Sequence, residues 1–252
     1  MIDFLEVIRA ESARFAECIR AGDMEASVPS CPDWKMADLA WHLVEVQRFW
    51  GSIADRLVLD PGQVTKIERP ANEHLPGLLV EQSAALVEAL SRHPAQARCW
   101  SWYDEGWSIG WVRRRQAHEA LIHRVDAELV IGHLTEVDDE LAADGIDELL
   151  YTMVDGVPEW ADFIPDETHA TLSVDGGASY GLRFGRIVGT SPESGKEYDF
   201  DTFLVSDPAG PIIGGSPSAL DLWLWGRGHE GVRCDDPSLL ARIRAIVTDA
   251  TQ

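Results

Sequence analysis

The chain has 252 residues, enough for one large domain or two small ones. It is 45% hydrophobic and 25% charged, so a core can form without disulfide help. Lys plus Arg number 21 against 43 Asp plus Glu, a formal charge of −22. A surface this acidic is repelled by phosphate backbones and anionic lipid, which argues against nucleic-acid and peripheral-membrane roles. Asp3, Glu6 and Glu11 interrupt the first twenty residues, which therefore lack the pattern of a secretory signal. No apolar run approaches the length of a membrane span. Cys18, Cys31, Cys99 and Cys234 are scattered and form no CxxC pair, which argues against a disulfide framework or a Cys-type zinc site. A cytoplasmic protein is expected.

The elements follow in chain order. Phe4, Val7, Ile8, Phe15, Cys18 and Ile19 recur at helical spacing and predict an amphipathic helix over about 2–21. The stretch Val28 to Asp33 reads as a loop. A second helix is expected from about Lys35 to Leu57, with Met36, Leu39, Leu43, Val46 and Trp50 on one stripe and Asp33 as N-cap. Residues 58–76, with Pro61, Pro70 and Pro76, read as loop. A third helix fits 77–92. A connection rich in tryptophan (Trp100, Trp102, Trp107) leads into a fourth, from about Ser108 to Ile131, ending at Gly132. Residues 138–154 are consistent with a fifth.

Beyond Pro158 the period changes from 3.6 to 2. Thr168–Val174 and Tyr180–Phe184 alternate as strands, with Gly176-Gly177 as the turn of a hairpin. Tyr198–Val205 is a third strand, and its interleaved charges suit an edge. Helices are expected at about 216–226 and 237–248. The fold class is thus α+β: a helical bundle over 1–158, then a small α+β domain over 159–252.

The fourth helix carries the strongest chemical signal, His118-Glu119-Ala-Leu-Ile-His123-Arg-Val-Asp126. Glu119 and His123, four apart, lie about 40° apart on the helix surface and can reach one ion. His118 and His123, five apart, are about 140° apart and cannot both be ligands, which excludes an HExxH reading. A catalytic zinc needs a third ligand, and His42, beside Leu39 and Leu43 on the second helix, is the best candidate. Asp126 is placed to orient an imidazole. The alternatives are bland: His42 as a hydrogen-bonded core histidine, His118 as a half-exposed helix residue, Arg113-Arg114-Arg115 paired with carboxylates, and the tryptophans as packing or as pocket walls.

Pro29-Ser-Cys-Pro-Asp-Trp34-Lys-Met-Ala-Asp38-Leu39-Ala-Trp-His42-Leu43 and Glu119-Ala-Leu-Ile-His123-Arg124-Val-Asp126-Ala127-Glu128 resemble, in order and spacing, the two signatures of the mycothiol-dependent maleylpyruvate isomerase-like family. That family belongs to the DinB-like metal-binding four-helix bundles of actinobacteria. Gly215 to Arg227, followed by Val232 to Leu240, resembles its small sterol-carrier-like C-terminal domain. The resemblance implies that His42, Glu119 and His123 hold Zn²⁺ or another divalent metal. It implies further that mycothiol is the small-molecule thiol and that Arg227 acts on a small carboxylated substrate, in thiol transfer or cis–trans isomerisation. A monomer or homodimer is expected. The sequence departs from the signatures at Asp33, His118 and Val125, none of which is a ligand. Metal-assisted hydrolysis, with Glu45 or Asp126 as base, and a non-catalytic metal- or ligand-binding regulatory role are the alternatives.

Overall fold

The computed structural model describes residues 1–251 and divides into two compact units, Met1–Glu136 and Val137–Gln252. In the first unit, α1 (Phe4–Ala21) is followed by a short antiparallel hairpin, β1 (Ser27–Val28) and β2 (Cys31–Lys35). The helices α2 (Met36–Arg56), α3 (Leu75–Ser91) and α4 (Ile109–Ile131) complete it. These are the four expected helices. The hairpin replaces the expected loop, and with it the cap of α2 moves. Asp33 is an exposed strand residue, and the helix begins where Asp38 accepts a bond from the Lys35 backbone N–H at 2.9 Å. At the other helix ends the sequence signals hold. Ser108 accepts from the Trp111 N–H, and Gly132, at φ +70°, closes α4 in the left-handed conformation that glycine adopts without strain.

The apolar stripe of α2 packs with α1 and the hairpin. Phe15, Ile19, Val28, Met36, Leu39 and Leu43 form one fully covered cluster. A second cluster joins Ile8, Trp50, Ile53, Leu86, Leu90 and Val112 toward the other end of the bundle. The α4 helix is different in kind. From Arg115 to Glu128 every residue except Glu119 is buried, and that stretch holds Arg115, His118, His123, Arg124, Asp126 and Glu128. A charge taken from water into a core is tolerated only when it is paired and hydrogen-bonded. At the C-terminal end of α4 this is met in full. The Glu128 carboxylate accepts from Arg14 at 2.7 Å, Arg124 at 2.8 Å and the Thr135 N–H at 2.8 Å. Arg124 also donates to Glu11 at 2.7 Å. Among the described residues, no helix is long and apolar enough to cross a membrane.

The second unit opens with α5 (Asp139–Glu148), capped by Asp138 and continued by a π-helical turn, Leu149–Val154. The contacts place this helix with the second unit, whereas the change of period at residue 158 placed it with the first. Its Ile146, Leu149 and Leu150 pack into the core of the sheet domain. The sheet has the order β5-β4-β3-β6, built from β3 (Ala161–Val174), β4 (Ser179–Thr190), β5 (Glu197–Ser206) and β6 (Ile212–Gly215). The strand β5 lies at an edge, as its charges suggest, and Gly176 at φ +71° sits in the β3–β4 turn. The short β6 pairs parallel to β3 and was not expected. The register of β3 on β4 breaks between Pro165 and His169, and at Gly185 the Phe163 ring lies where a side chain would stand. Two helices, α6 (Pro217–Leu224) and α7 (Pro237–Ala250), supply Leu220, Trp223, Leu224, Ile243 and Val247 to the core beside Leu172, Leu182 and Phe203.

Removing Glu128 would leave the buried Arg124 guanidinium without its main partner. Glu128→Ala is expected to destabilise the first unit by about 3–5 kcal/mol in urea unfolding. Arg9→Ala, which breaks an exposed pair with Glu6, should cost less than about 1 kcal/mol.

Candidate metal centre

Three of the expected residues converge. His42 projects from α2, and Glu119 and His123 project from α4. Their ligand atoms all lie within 4.8 Å of one another. One oxygen of Glu119, Oε1, is 3.2 Å from His42 Nε2 and 3.1 Å from His123 Nε2. Bonds of about 2.0–2.1 Å at tetrahedral angles would hold neighbouring donors about 3.3–3.4 Å apart. The two separations to Glu119 lie close to that spacing, and two imidazoles with a carboxylate suit zinc and its divalent neighbours. Among the described residues, no fourth side-chain donor joins the group. His42 is 34% exposed against 19% for Glu119 and 11% for His123, so the centre opens on the α2 side.

Each donor is held from behind. The second oxygen of Glu119, Oε2, accepts from buried Arg115 at 3.0 Å, which leaves Oε1 to face the imidazoles. His123 donates through Nδ1 to Asp126 Oδ2 at 3.0 Å, and Asp126 Oδ1 accepts from Ser30 at 2.5 Å. This fixes the tautomer that presents Nε2 to an ion. The ring of Trp34, on β2, packs 5.0 Å from that of His42. Asp126 therefore does what its spacing suggested. Ser30, Arg115 and Trp34 were not singled out for this part. Arg115 was legible as a partner of Glu119 at i,i+4. Ser30 and Trp34 needed the hairpin, which Pro29, Pro32 and Asp33 hid.

The other expectations divide. His118 is not half-exposed. It is 1% exposed, on another face of α4, with its ring 6.1 Å from that of Phe4. Of the arginine run, Arg113 donates to the carbonyls of Leu90 and His93, and Arg115 pairs with Glu119. Trp100 stacks on Trp50 at 5.6 Å, and Arg98 covers Trp107. Gln116, one turn before Glu119, is buried with neither amide atom meeting a partner among the described residues. Arg227 belongs to the second unit. It is half-buried just past α6, where it donates to the Trp225 carbonyl and lies over the Trp225 ring.

Burial alone would push the His123 imidazole down. The Glu119 charge and the bonds to Asp126 and Glu119 outweigh it and hold the group up at about 9. Burial would likewise raise Glu119, but the charge of His123 and the bonds from both histidines hold it well below the usual carboxylate range. Without a metal the centre is thus an ion pair. A raised histidine contributes stability that is fully present below about 6.5 and is lost as pH rises through about 9. In metal-stripped protein, the unfolding free energy is expected to fall across that window. His123→Asn should remove the fall, which urea titrations at several pH values will show.

Residues 5–128 match the family model described as the mycothiol maleylpyruvate isomerase N-terminal domain. The whole chain is similar in fold to a crystal structure of the mycothiol-dependent maleylpyruvate isomerase. The TM-score is 0.57 at 14% identity, with 92% of each chain covered. A histidine-to-alanine mutant of that isomerase gives 0.55 at 14% identity, again covering 92% of each chain. No curated protein matches the sequence.

Proposed function

Because residues 5–128 belong to the mycothiol maleylpyruvate isomerase N-terminal domain family, we propose that this protein is a metal-dependent enzyme that uses mycothiol as a nucleophile. The second substrate in this reading is a small carboxylated electrophile. The observation that carries it is the meeting of His42 Nε2 and His123 Nε2 on one oxygen of Glu119, at tetrahedral donor spacing and on an open side of the bundle.

His42, Glu119 and His123 would hold the cation. Zinc bound there supplies a Lewis acid that keeps a thiol as thiolate at neutral pH, where a free thiol is only a few per cent ionised. The protein's own share is positional. Arg115 holds Glu119 by Oε2, so the carboxylate would offer the cation its other oxygen. Asp126 keeps the His123 proton on Nδ1. His42, the least covered of the three, marks the side from which a thiol enters. Arg227 is the residue for the substrate carboxylate, since a guanidinium grips a carboxylate through two parallel bonds. Sulfur adds to an activated alkene carbon and a proton is taken up at its neighbour. Rotation about the new single bond and loss of the same thiol convert cis to trans. Retention of the carbon–sulfur bond gives thiol transfer.

Asp126 has both oxygens engaged by Ser30 and His123, which leaves it unsuited to serve as the base that metal-assisted hydrolysis requires. The absence of a fourth donor among the described residues favours an open catalytic centre over a closed structural one.

Protein purified and dialysed against zinc is expected to carry about one cation per chain by elemental analysis. His42→Ala and Glu119→Gln should lose it. Turnover of carboxylated cis-alkenes should require both zinc and mycothiol. Turnover of esters or amides without any thiol would replace this reading with hydrolysis.

A further inference from the structure

The β1–β2 hairpin touches both histidines of the centre by different means. Its two-residue turn is Pro29-Ser30, closed by the pairing of Val28 with Cys31. Pro29 fixes the backbone of the turn, and Val28 is fully buried in the core beneath it. Two backbone bonds, Met36 N–H to Ala26 and Ala37 N–H to Met24, tie the flanks of the hairpin to the start of α2. On this rigid base the Ser30 hydroxyl donates to Asp126 Oδ1 at 2.5 Å. Asp126 is fully buried, and its other oxygen receives the His123 Nδ1 proton. Four residues past Ser30, Trp34 packs its ring against His42.

We infer that Ser30 is a positioning residue of the metal centre: through Asp126 it fixes the plane of the His123 imidazole, so that Nε2 faces the cation. The inference rests on the metal reading above and adds to it the element that sets ligand geometry. A buried carboxylate that accepts a single bond can swing about its Cβ–Cγ axis, and the imidazole bonded to it would swing as well. The Ser30 bond restrains the second oxygen, and it does so from outside the helix that carries Asp126 and His123. The part played by Ser30 is therefore geometric, since it bonds to none of the three donor residues.

The test compares the full-length wild type with Ser30→Ala and Ser30→Thr. Zinc affinity is read by competition with a chromophoric chelator, and the unfolding midpoint is read on the metal-free forms. Support for a metal ligand from behind is commonly worth ten- to a hundredfold in affinity. Ser30→Ala is expected to weaken zinc binding by about that factor, while Ser30→Thr, which keeps the hydroxyl, stays within about threefold of wild type. The metal-free midpoint of Ser30→Ala is expected to fall modestly, because buried Asp126 loses a partner, and that of Ser30→Thr to stay at the wild-type value. Equal zinc affinity in Ser30→Ala and wild type would overturn the inference. So would an equal loss of affinity in both variants, which would show that the hydroxyl is not what holds the centre. A wild type that takes up no zinc would instead sink the metal reading itself, and the inference with it.

Discussion

A carboxylate largely withdrawn from water must be answered by donors, and the structure turns on how Glu119 is answered. Along α4, Glu128 meets two arginines and a backbone N–H, all permanent donors. Glu119 meets one permanent donor, Arg115, on one oxygen. Its other oxygen meets the nitrogens of two imidazoles. An imidazole nitrogen donates only while it carries a proton. Without that proton it is a lone pair facing a carboxylate, a repulsive arrangement unless something positive stands between them. The cluster therefore calls for a proton or a cation. In the metal-free protein the Glu119 charge holds a proton on His123, and the charge of that imidazolium keeps Glu119 ionised. A divalent cation would relieve the same repulsion with two charges in place of one, releasing the proton as it binds.

That arrangement is possible because α4 is covered along most of its length. Covered by neighbours over nearly four turns, it can receive support for a donor on one side while the donor atom faces another. Arg115 lies on the same helix as Glu119, so the rotamer of Glu119 is set by local geometry. His123 is set by Asp126 one turn on and, from outside the helix, by Ser30 in the hairpin through Asp126. His42 has the least support, a ring contact with Trp34, and is also the most exposed of the three. The gradient from fixed to accessible runs across the centre from α4 to α2, which suits a site where a ligand approaches from the His42 side.

Much of this was legible in the sequence, for reasons that can be stated residue by residue. The pairing of Glu119 with His123 follows from helical spacing alone. His42 follows from its place on an apolar stripe once a bundle is assumed. The caps at Ser108 and Gly132 were legible because capping chemistry is local. The hairpin was not, because Cys31–Lys35 contains a proline and two charges and alternates weakly. Its strand conformation comes from pairing with Ser27 and Val28 and from docking against α1 and α2. The same holds for Ile212–Gly215, four residues with two glycines, held as a strand by parallel pairing with β3. The boundary between units was misplaced because the α5 helix has helical periodicity but buries its apolar face against sheet and helices of the second unit, a long-range fact.

The three departures from the family signatures can now be weighed by position. Asp33 is exposed on β2, and its side chain belongs to the surface of the hairpin. Val125 is fully buried, two residues past His123, and fills core space. His118 is turned toward Phe4 on α1. At 100° per residue, His118 and Val125 both lie well away from the direction in which Glu119 and His123 project. None of the three is one of the three converging residues, so the departures leave His42, Glu119 and His123 in place. Two further side chains stand beside the converging group: Trp34, whose ring packs against His42, and buried Gln116, one turn before Glu119, whose amide atoms meet no partner among the described residues.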